Sequence, residues 1–405
     1  MAGEAAGLLP ENAVLLHIGP YKTGSTALQA ALFAAKPRLG QFGVAYPGVW
    51  RRIVGAGYAA LGAAPRGRTL PAMSVWEHFA AQVRKRDQLR VCVSTEDFSN
   101  TAKADRFPKI IDDLGGERVH VVTVARGFHR LLPSSWQESI KAHGTESYSE
   151  WLHEVLDEDA SGFGRDTFWD CHDIERTAEA WLPIVGQDHF HVIIADDSDP
   201  RYLLGIFERL LGLPDGLLTL TGARNPSLTA SGAEVLRRLN RRFADEGWSD
   251  ELYFGLIQSG LNYGLQAAGA DRDQKLPNLP PWALERVRDL TEHRIGVLKS
   301  LGVPVIGDVD RLRVPDDYVP GDADAAVSAI SVDSVVSGLG QLVSAAVRRE
   351  ERLRQAASAK AKRPRPVAKK KKKVKQLRDH DSRELVAELS RRGRQRVRRI
   401  VGKSG

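Results

Sequence analysis

The chain contains few cysteines, no long apolar run and no metal-ligand cluster, and each absence excludes a class of protein. Cys92 and Cys171 are the only cysteines in 405 residues, so we expect no disulfide framework and two reduced thiols. No group of Cys and His has the spacing of a zinc site, and we expect no bound metal. No run of about 18 apolar residues occurs, which argues against a transmembrane segment. The first residues lack the basic segment of a signal peptide, so we expect a cytoplasmic location.

Positive charge is concentrated at the end of the chain. The net charge of +7 combines +17 in residues 348–405, which hold 23 Lys and Arg against 6 Asp and Glu, with −10 in residues 1–347. Residues 359–405 are rich in lysine and arginine and in part of low complexity, which predicts a largely disordered basic tail. Such a tail is typical of a segment that binds a polyanion, either nucleic acid or an anionic membrane surface. Binding to a membrane surface would place the protein peripherally on it.

Short apolar runs alternate with helical stretches in the first half of the chain. Strands are predicted at 14–18, 42–46, 90–94, 119–124 and 190–195, and helices at 25–36, 72–86, 105–114, 128–142, 148–158, 173–185, 200–211, 229–245, 250–267, 281–300 and 325–356. The alternation predicts an α/β fold with a parallel sheet flanked by helices, followed by a helical C-terminal half. The first helix is expected to end at Lys36-Pro37. The Pro- and Asp-rich residues 303–324 are expected to form a boundary.

The segment that joins the first predicted strand to the first predicted helix is the most informative one. Gly19 and Gly24 bracket four residues, and the helix begins at once with Ser25. Glycines let the backbone wrap an anion while the first N–H groups of the helix point at it, so the segment predicts a phosphate-binding loop. A nucleoside-triphosphatase loop would place its lysine directly after the second glycine. Here the lysine is Lys22, within the loop, where a group-transfer enzyme that handles a phosphosulfate can use it; the structural alternative is a plain glycine-rich turn.

Residues 22–26, Lys-Thr-Gly-Ser-Thr, resemble the 5′-phosphosulfate loop of the PAPS-dependent sulfotransferases, where PAPS is 3′-phosphoadenosine 5′-phosphosulfate. The resemblance implies a P-loop-like sulfotransferase fold, PAPS as co-substrate and no metal. It implies a catalytic role for Lys22, which would neutralise the charge that develops as the sulfuryl group leaves. The residues that would bind the 5′-phosphosulfate are Lys22, Thr23, Gly24, Ser25 and Thr26.

The same resemblance implies a second anion site, for the 3′-phosphate of PAPS. The family supplies it with an arginine at a strand end and a serine eight residues later, and here these positions hold Arg126 and Ser134. Arginine makes a bidentate fork to phosphate, and a hydroxyl in the adjoining helix adds a donor. Residues 132–137, Leu-Pro-Ser-Ser-Trp-Gln, are similar to bacterial members, and a shift of register by one would substitute Ser135. The structural alternative is a surface arginine and a helix-capping serine.

Sulfuryl transfer also needs a base that takes the proton of the acceptor. Glu96 follows the strand at 90–94, and the carboxyl end of such a strand faces the crevice where parallel sheets bind ligands. We therefore predict Glu96 as the catalytic base, with Asp97 as the alternate and His17 as a weaker candidate. In the competing interpretation Glu96 caps a helix or pairs with a basic group, and His17 is structural.

A later loop completes the predicted nucleotide site. Residues 221–228 resemble an Asn-x-Ser-Leu segment of bacterial members, in which Arg224 would contact phosphate or adenine. Without a ligand the same loop would simply cap the next helix. We predict one sulfotransferase domain at 1–320, with a nucleotide-binding core at 13–230 and a helical part at 230–300, then a long helix at 321–358.

The predicted reaction moves the sulfuryl group of PAPS to a hydroxyl or amine of a glycan, lipid or small metabolite. Residues 49–71 and 240–300 are candidates for binding this acceptor, which the motifs do not identify. Two alternatives remain open. One is a P-loop-type kinase or nucleotide hydrolase with a degenerate loop, and the other is a non-enzymatic scaffold that binds polyanions through its basic tail.

Overall fold

A computed structural model describes residues 7–65, 67–221, 227–268, 275–325, 327 and 329–362. The contacts divide the chain into two units, Met1–Arg349 and Glu350–Gly405. The described part of the second unit, 350–362, is the end of the last helix. The prediction of a disordered tail from residue 359 falls largely outside the described residues. No helix in the described part of the chain has the length and apolarity needed to cross a membrane.

One sheet of six parallel strands forms the centre of the first unit. The strands are β1 Val14–Gly19, β2 Val44–Ala45, β3 Arg90–Ser94, β4 Val119–Ala125, β5 Phe190–Ile194 and β6 Val305–Ile306. Their order across the sheet is β2-β3-β1-β4-β5-β6, and every pairing is parallel. The predicted parallel sheet flanked by helices is thus confirmed. β6 was missed, because it contains only two residues and lies in the segment that was expected to be a boundary.

The strand order fixes where a ligand would bind. β1 lies between β3 and β4, and the chain leaves β1 and β4 towards opposite edges of the sheet. In open parallel sheets, ligands bind in the crevice at the carboxyl ends of the strands where the order reverses. The segments that follow β1, β3 and β4 therefore meet at one edge, and they contain Lys22, Glu96 and Arg126.

The helices surround this sheet and form a separate helical layer. Their bounds are α1 Ser25–Leu39, α2 Val54–Ala60, α3 Met73–Arg84, α4 Phe107–Leu114, α5 Phe128–Lys141, α6 Tyr148–Leu156, α7 Phe163–His172, α8 Ile174–Val185, α9 Tyr202–Leu211, α10 Ala230–Asp245, α11 Asp250–Leu252, α12 Asn262–Ala268, α13 Pro281–Ser300 and α14 Val332–Lys362. A π-helix at Tyr253–Leu261 joins α11 to α12. A short 3₁₀ turn, Glu96–Ser99, follows β3.

The strands read as continuous apolar runs because both faces of the sheet are covered. Successive residues of a strand point to opposite faces. Val14 and Leu16 belong to a core cluster with residues of α2, α3, α4, α8 and α13, whereas Leu15 belongs to a second cluster with residues of α1 and α9. A third cluster joins α5, α6 and α7 to α10, the π-helix and α13.

Several helix predictions were wrong. The last helix begins at Val332 rather than at 321 or 325, and a π-helix interrupts the helix predicted at 250–267. α1 continues through Pro37 to Leu39 rather than ending before the proline. Pro37 removes one hydrogen bond near the end of the helix, whereas continuing the last turn buries Leu39 almost fully in the core. α7 was not predicted at all, because its glycine and charged residues weaken the helical pattern, yet Phe168 and Cys171 on it are buried.

Candidate active site

The turn between β1 and α1 has a backbone that wraps tightly. Gly19, Lys22 and Gly24 all have positive φ angles, of 89°, 68° and 98°. At Gly19 a side chain would crowd the neighbouring segment, since an added Cβ would lie 3.1 Å from the Cα of Glu96. Lys22 is one of two described residues other than glycine with a positive φ. This left-handed conformation is energetically unfavourable for L-amino acids. The turn is therefore held in its conformation by the structure around it.

The hydroxyl groups of the turn hold its shape. Thr23 Oγ1 donates to the carbonyl of Pro20 at 2.7 Å, and Ser25 Oγ reaches the same oxygen at 3.4 Å. Gly24 is the N-cap of α1 and provides no side-chain hydrogen bond. Helix geometry leaves the N–H groups of the first turn without intrahelical acceptors. The start of α1 thus offers backbone donors, including those of Ser25 and Thr26, to an anion.

Lys22 is paired with an acidic residue that the sequence analysis did not single out. Its Nζ lies 2.6 Å from Glu138 Oε1 on α5. Lys141 Nζ, one turn further along α5, lies 2.9 Å from the same oxygen. Burial tends to raise the pKa of Glu138, but the two ammonium groups outweigh it and hold that pKa below its usual value. Burial lowers the pKa of Lys141.

Arg126 lies directly beside the Lys22 turn. Its Nη1 donates to the backbone carbonyl of Lys22 at 2.8 Å. Its Nε donates to both carboxylate oxygens of Asp197, at 3.0 and 3.1 Å, and its Nη2 lies 2.8 Å from Asp197 Oδ1. The end of β4 and the loop after β5 therefore join the β1 turn in one polar cluster.

Ser134 and Ser135 differ in what their hydroxyls do. Ser134 Oγ donates within its own helix, with the carbonyls of Arg130 and Leu131 both at 2.9 Å. Ser135 Oγ is buried and has no hydrogen-bond partner among the described residues. Glu138, the partner of Lys22, lies three residues beyond Ser135 on the same helix, a spacing that brings side chains together. Of the two, Ser135 has the hydroxyl that no described residue already engages.

The carboxylates after β3 are buried and already paired. Glu96 Oε2 accepts a hydrogen bond from Gln29 Nε2 at 3.1 Å and lies 3.3 Å from Arg52 Nη2. Burial tends to lower the pKa of Arg52, but the nearby carboxylates, Glu96 first, outweigh it and raise that pKa. The predicted base is therefore a buried, oriented carboxylate next to the β1 turn.

Asp97 belongs to a second set of contacts on the same turn. Tyr21 donates to Asp97 Oδ1 at 2.6 Å, and Thr95 Oγ1 donates to Asp97 Oδ2 at 2.9 Å. Burial first, and then the Asp97 charge, raise the pKa of Tyr21 well above its usual value. The phenol of Tyr21 therefore remains a hydrogen-bond donor, and it ties the β1 turn to the segment after β3.

His17 occupies a structural position on β1. Its Nδ1 lies 2.8 Å from Ser94 Oγ on β3, and its ring packs edge-on against Phe207. Burial lowers the pKa of His17 to about 3. The ring is thus neutral near pH 7 and lies beneath the turn, as the structural interpretation of this residue expects.

Opposite charges balance at this edge of the sheet. Four cations and four carboxylates form the cluster, which gives it no net charge when all of them are ionised. These residues are Lys22, Arg52, Arg126 and Lys141, and Glu96, Asp97, Glu138 and Asp197. An anionic ligand would therefore compete with carboxylates that now occupy the lysine and the arginine.

A cavity of about 520 Å³ adjoins Arg126. Its lining includes Gly127, which follows Arg126, and Asp197, which pairs with it, together with His129 and Arg130 of α5. Burial is the main cause that lowers the pKa of His129 to about 4, so its imidazole is neutral. Of the charged cluster only Asp197 lines this cavity, which therefore adjoins the cluster and does not enclose it.

The remaining sequence candidates lie elsewhere or outside the described residues. Arg224 falls in residues 222–226, outside the described residues. In the predicted acceptor segment 240–300, Tyr253 is fully buried and belongs to the core, while Trp248 and Tyr263 are exposed. Segment 49–71 supplies Arg52 to the cluster. No group of described side chains has the make-up of a metal site.

The comparisons with known proteins add no relative. No family model matches the chain, and neither the curated proteins nor the solved structures gave a match. The case for a function therefore depends on the residues of this chain and on their geometry.

Proposed function

We propose that this chain is a PAPS-dependent sulfotransferase that moves a sulfuryl group to a hydroxyl or amine of an acceptor. The observation that carries the proposal is the contact between the β1 turn and the end of β4, where the Arg126 guanidinium donates to the Lys22 carbonyl at 2.8 Å. Two groups that sequence motifs assign to the 5′-phosphosulfate and the 3′-phosphate of one nucleotide thus lie side by side. Had they been on opposite sides of the sheet, one nucleotide could not have reached both.

The donor set suits a nucleotide that carries anions at both the 5′ and the 3′ position of its ribose. The start of α1, with no side-chain cap, and Lys22 offer donors to the 5′-phosphosulfate. Arg126 has N–H groups beyond those that bind Asp197 and the Lys22 carbonyl, and the unpartnered hydroxyl of Ser135 lies on the neighbouring helix. In this proposal PAPS supplies the sulfuryl group, and the chain supplies positioning, charge and a base.

Lys22 has the central role in the proposed reaction. Its ammonium group would neutralise the negative charge that develops when the sulfuryl group departs. To do so, the group must turn from Glu138 towards the ligand, while Lys141 remains as a partner for Glu138. Glu138 therefore keeps a counter-ion when Lys22 is used.

Glu96 is proposed to accept the proton of the acceptor hydroxyl or amine. Gln29 and Arg52 both contact its Oε2, which orients the carboxylate and leaves the proton to Oε1. Asp97 is engaged through both oxygens, by Tyr21 and by Thr95. This difference favours Glu96 over Asp97 as the base.

The proposed partners include a polyanion bound by the basic tail. Residues 348–405 carry +17, enough to attract nucleic acid or an anionic membrane surface. In this proposal the tail brings a cytoplasmic enzyme to its acceptor. Binding that is lost at high salt, with PAP affinity unchanged, would support this role.

Thermal unfolding with PAP, the desulfated product of PAPS, tests the proposal. PAP should raise the Tm of the wild-type protein, whereas ATP with Mg²⁺ should have little effect. Lys22→Ala should weaken PAP binding by about 10- to 100-fold, the effect of losing a charged hydrogen bond. Lys109→Ala is the matched control, because Lys109 is an exposed lysine whose partner, Asp113, lies outside the cluster.

The outcomes separate the alternatives. Stabilisation by ATP with Mg²⁺ but not by PAP would favour a kinase or nucleotide hydrolase. No stabilisation by either nucleotide, with salt-sensitive polyanion binding that Lys22→Ala leaves unchanged, would favour the scaffold. In either case the sulfotransferase proposal is wrong.

A further inference from the structure

A second cavity, of about 470 Å³, lies between the start of α5 and helices α7, α8 and α13. None of the residues proposed above to contact PAPS lines it. Its walls carry apolar side chains, among them Phe128, Trp169, Leu290 and Val297, and its rim carries charged ones. The volume is within the range of small-molecule sites, about 300–1,000 Å³.

Arg294 of α13 is the unusual residue in this cavity. Its side chain lines the cavity, yet the residue is only 4% exposed. Its Nη1 donates to the backbone carbonyl of Arg126 at 2.9 Å, and its guanidinium lies 4.7 Å from the centre of the Phe128 ring. Its Nε is buried with no hydrogen-bond partner among the described residues. Burying a guanidinium without a carboxylate is costly.

The other arginines of the cavity already have partners of their own. Arg286 pairs with Glu158, and Arg176 pairs with Asp170 and Asp173. The Asp173 carboxylate also caps α8 by accepting backbone N–H groups. Arg165 binds backbone carbonyls. Arg294 is thus the buried cation that forms no ion pair among the described residues of this cavity, although the charge of Asp173 acts on it from a greater distance.

We propose that this cavity binds a small carboxylate with an apolar body. The carboxylate would pair with the Arg294 guanidinium, whose edge with Nε suits two parallel hydrogen bonds to two oxygens. The apolar part would pack against Phe128, Trp169 and Leu290. A bare inorganic anion would leave these surfaces unused, and an uncharged apolar molecule would leave the guanidinium unpaired.

A matched set of acids and amides tests this site. The probes are benzoate, 4-phenylbutyrate and octanoate, their amides, and inorganic phosphate. Binding of each probe is measured by thermal unfolding of the full chain. At about ten times its Kd, the best acid should raise the Tm by about 2 °C. The amides and phosphate should give no comparable shift. Arg294→Met should reduce the affinity for that acid at least tenfold, and Arg294→Lys should reduce it less.

Two further variants keep the test decisive. Arg288→Met, an exposed arginine of the same helix that does not line the cavity, should leave binding unchanged. If Arg294→Met does not fold, Leu290→Trp fills the cavity, retains Arg294 and should abolish binding. Equal shifts from acids and amides would overturn the proposal. So would undiminished binding by the Arg294→Met or Leu290→Trp variant, or no response to any of the three acids.

Discussion

Replacing Glu138 by glutamine should tighten the binding of PAP. In the structure the Glu138 carboxylate holds the Lys22 ammonium at 2.6 Å, and an anionic ligand must compete with it. Glutamine keeps the size of the side chain and removes its charge. The variant therefore presents Lys22 to the ligand without a competing carboxylate.

The size of the effect follows from the exposure of the pair. The Lys22 side chain is 21% exposed and that of Glu138 is 43% exposed, so solvent screens much of their attraction. A pair of this kind is worth about 1 kcal/mol, which corresponds to about a fivefold lower Kd for PAP. The same change should lower the free energy of unfolding by a similar amount, because Lys141 loses its partner as well.

Calorimetric titration of PAP into the wild-type protein and Glu138→Gln measures the difference, with Glu285→Gln on the exposed side of α13 as the control. The pKa of Glu138 is held below its usual value of 4.5. Its contribution to stability is therefore complete above about pH 4.5 and is lost as the pH falls through the lower folded-state pKa. Glu138→Gln should lack this part of the acid sensitivity. An unchanged or higher Kd for PAP would refute the reasoning, since Glu138 would then orient Lys22 rather than compete for it.

Three other changes give separate tests. Gly19→Ala should lower the free energy of unfolding, measured in urea, by about 2 kcal/mol more than Gly186→Ala does. Both glycines have positive φ, but an added Cβ would contact a neighbouring residue only at Gly19. Equal losses would contradict the close packing of the turn. Tyr21→Phe should lower the free energy of unfolding by about 1 kcal/mol. It should also weaken the fall in stability above pH 10 that the raised Tyr21 pKa predicts, and an unaltered pH profile would argue against that assignment. Removal of residues 359–405 should leave the Kd for PAP unchanged by calorimetry, and a large loss of affinity would place part of the nucleotide site in the tail.

The sheet could be predicted where burial is continuous. β3 has the predicted bounds, and β1, β4 and β5 differ by one residue at an end, because each is a run of apolar residues covered on both faces. β6 could not be predicted from the sequence, since two residues between a proline and a glycine carry no periodic signal. Its place in the sheet is set by tertiary contacts with β5.

The polar cluster was predictable in part for a topological reason. Residues that follow neighbouring parallel strands must meet at one edge of the sheet, which is why Lys22 and Arg126, both singled out through the resemblance, lie together. Glu138 lies four residues after Ser134 on α5, a spacing that could have drawn attention to it. Asp197 and Arg52 come from loops, whose paths the sequence pattern does not determine.

A binding cycle that removes one partner at a time tests the central claim most directly. Calorimetry would compare PAP with adenosine 5′-phosphate, which lacks the 3′-phosphate, on the wild-type protein and on Arg126→Ala. If Arg126 binds the 3′-phosphate of a nucleotide held by the Lys22 turn, removing either the 3′-phosphate or the Arg126 side chain should lower the affinity about 10- to 100-fold. Removing both should lower it little further. The account would be contradicted if the two losses in affinity multiplied when both groups were removed, or if the wild-type protein bound both nucleotides equally.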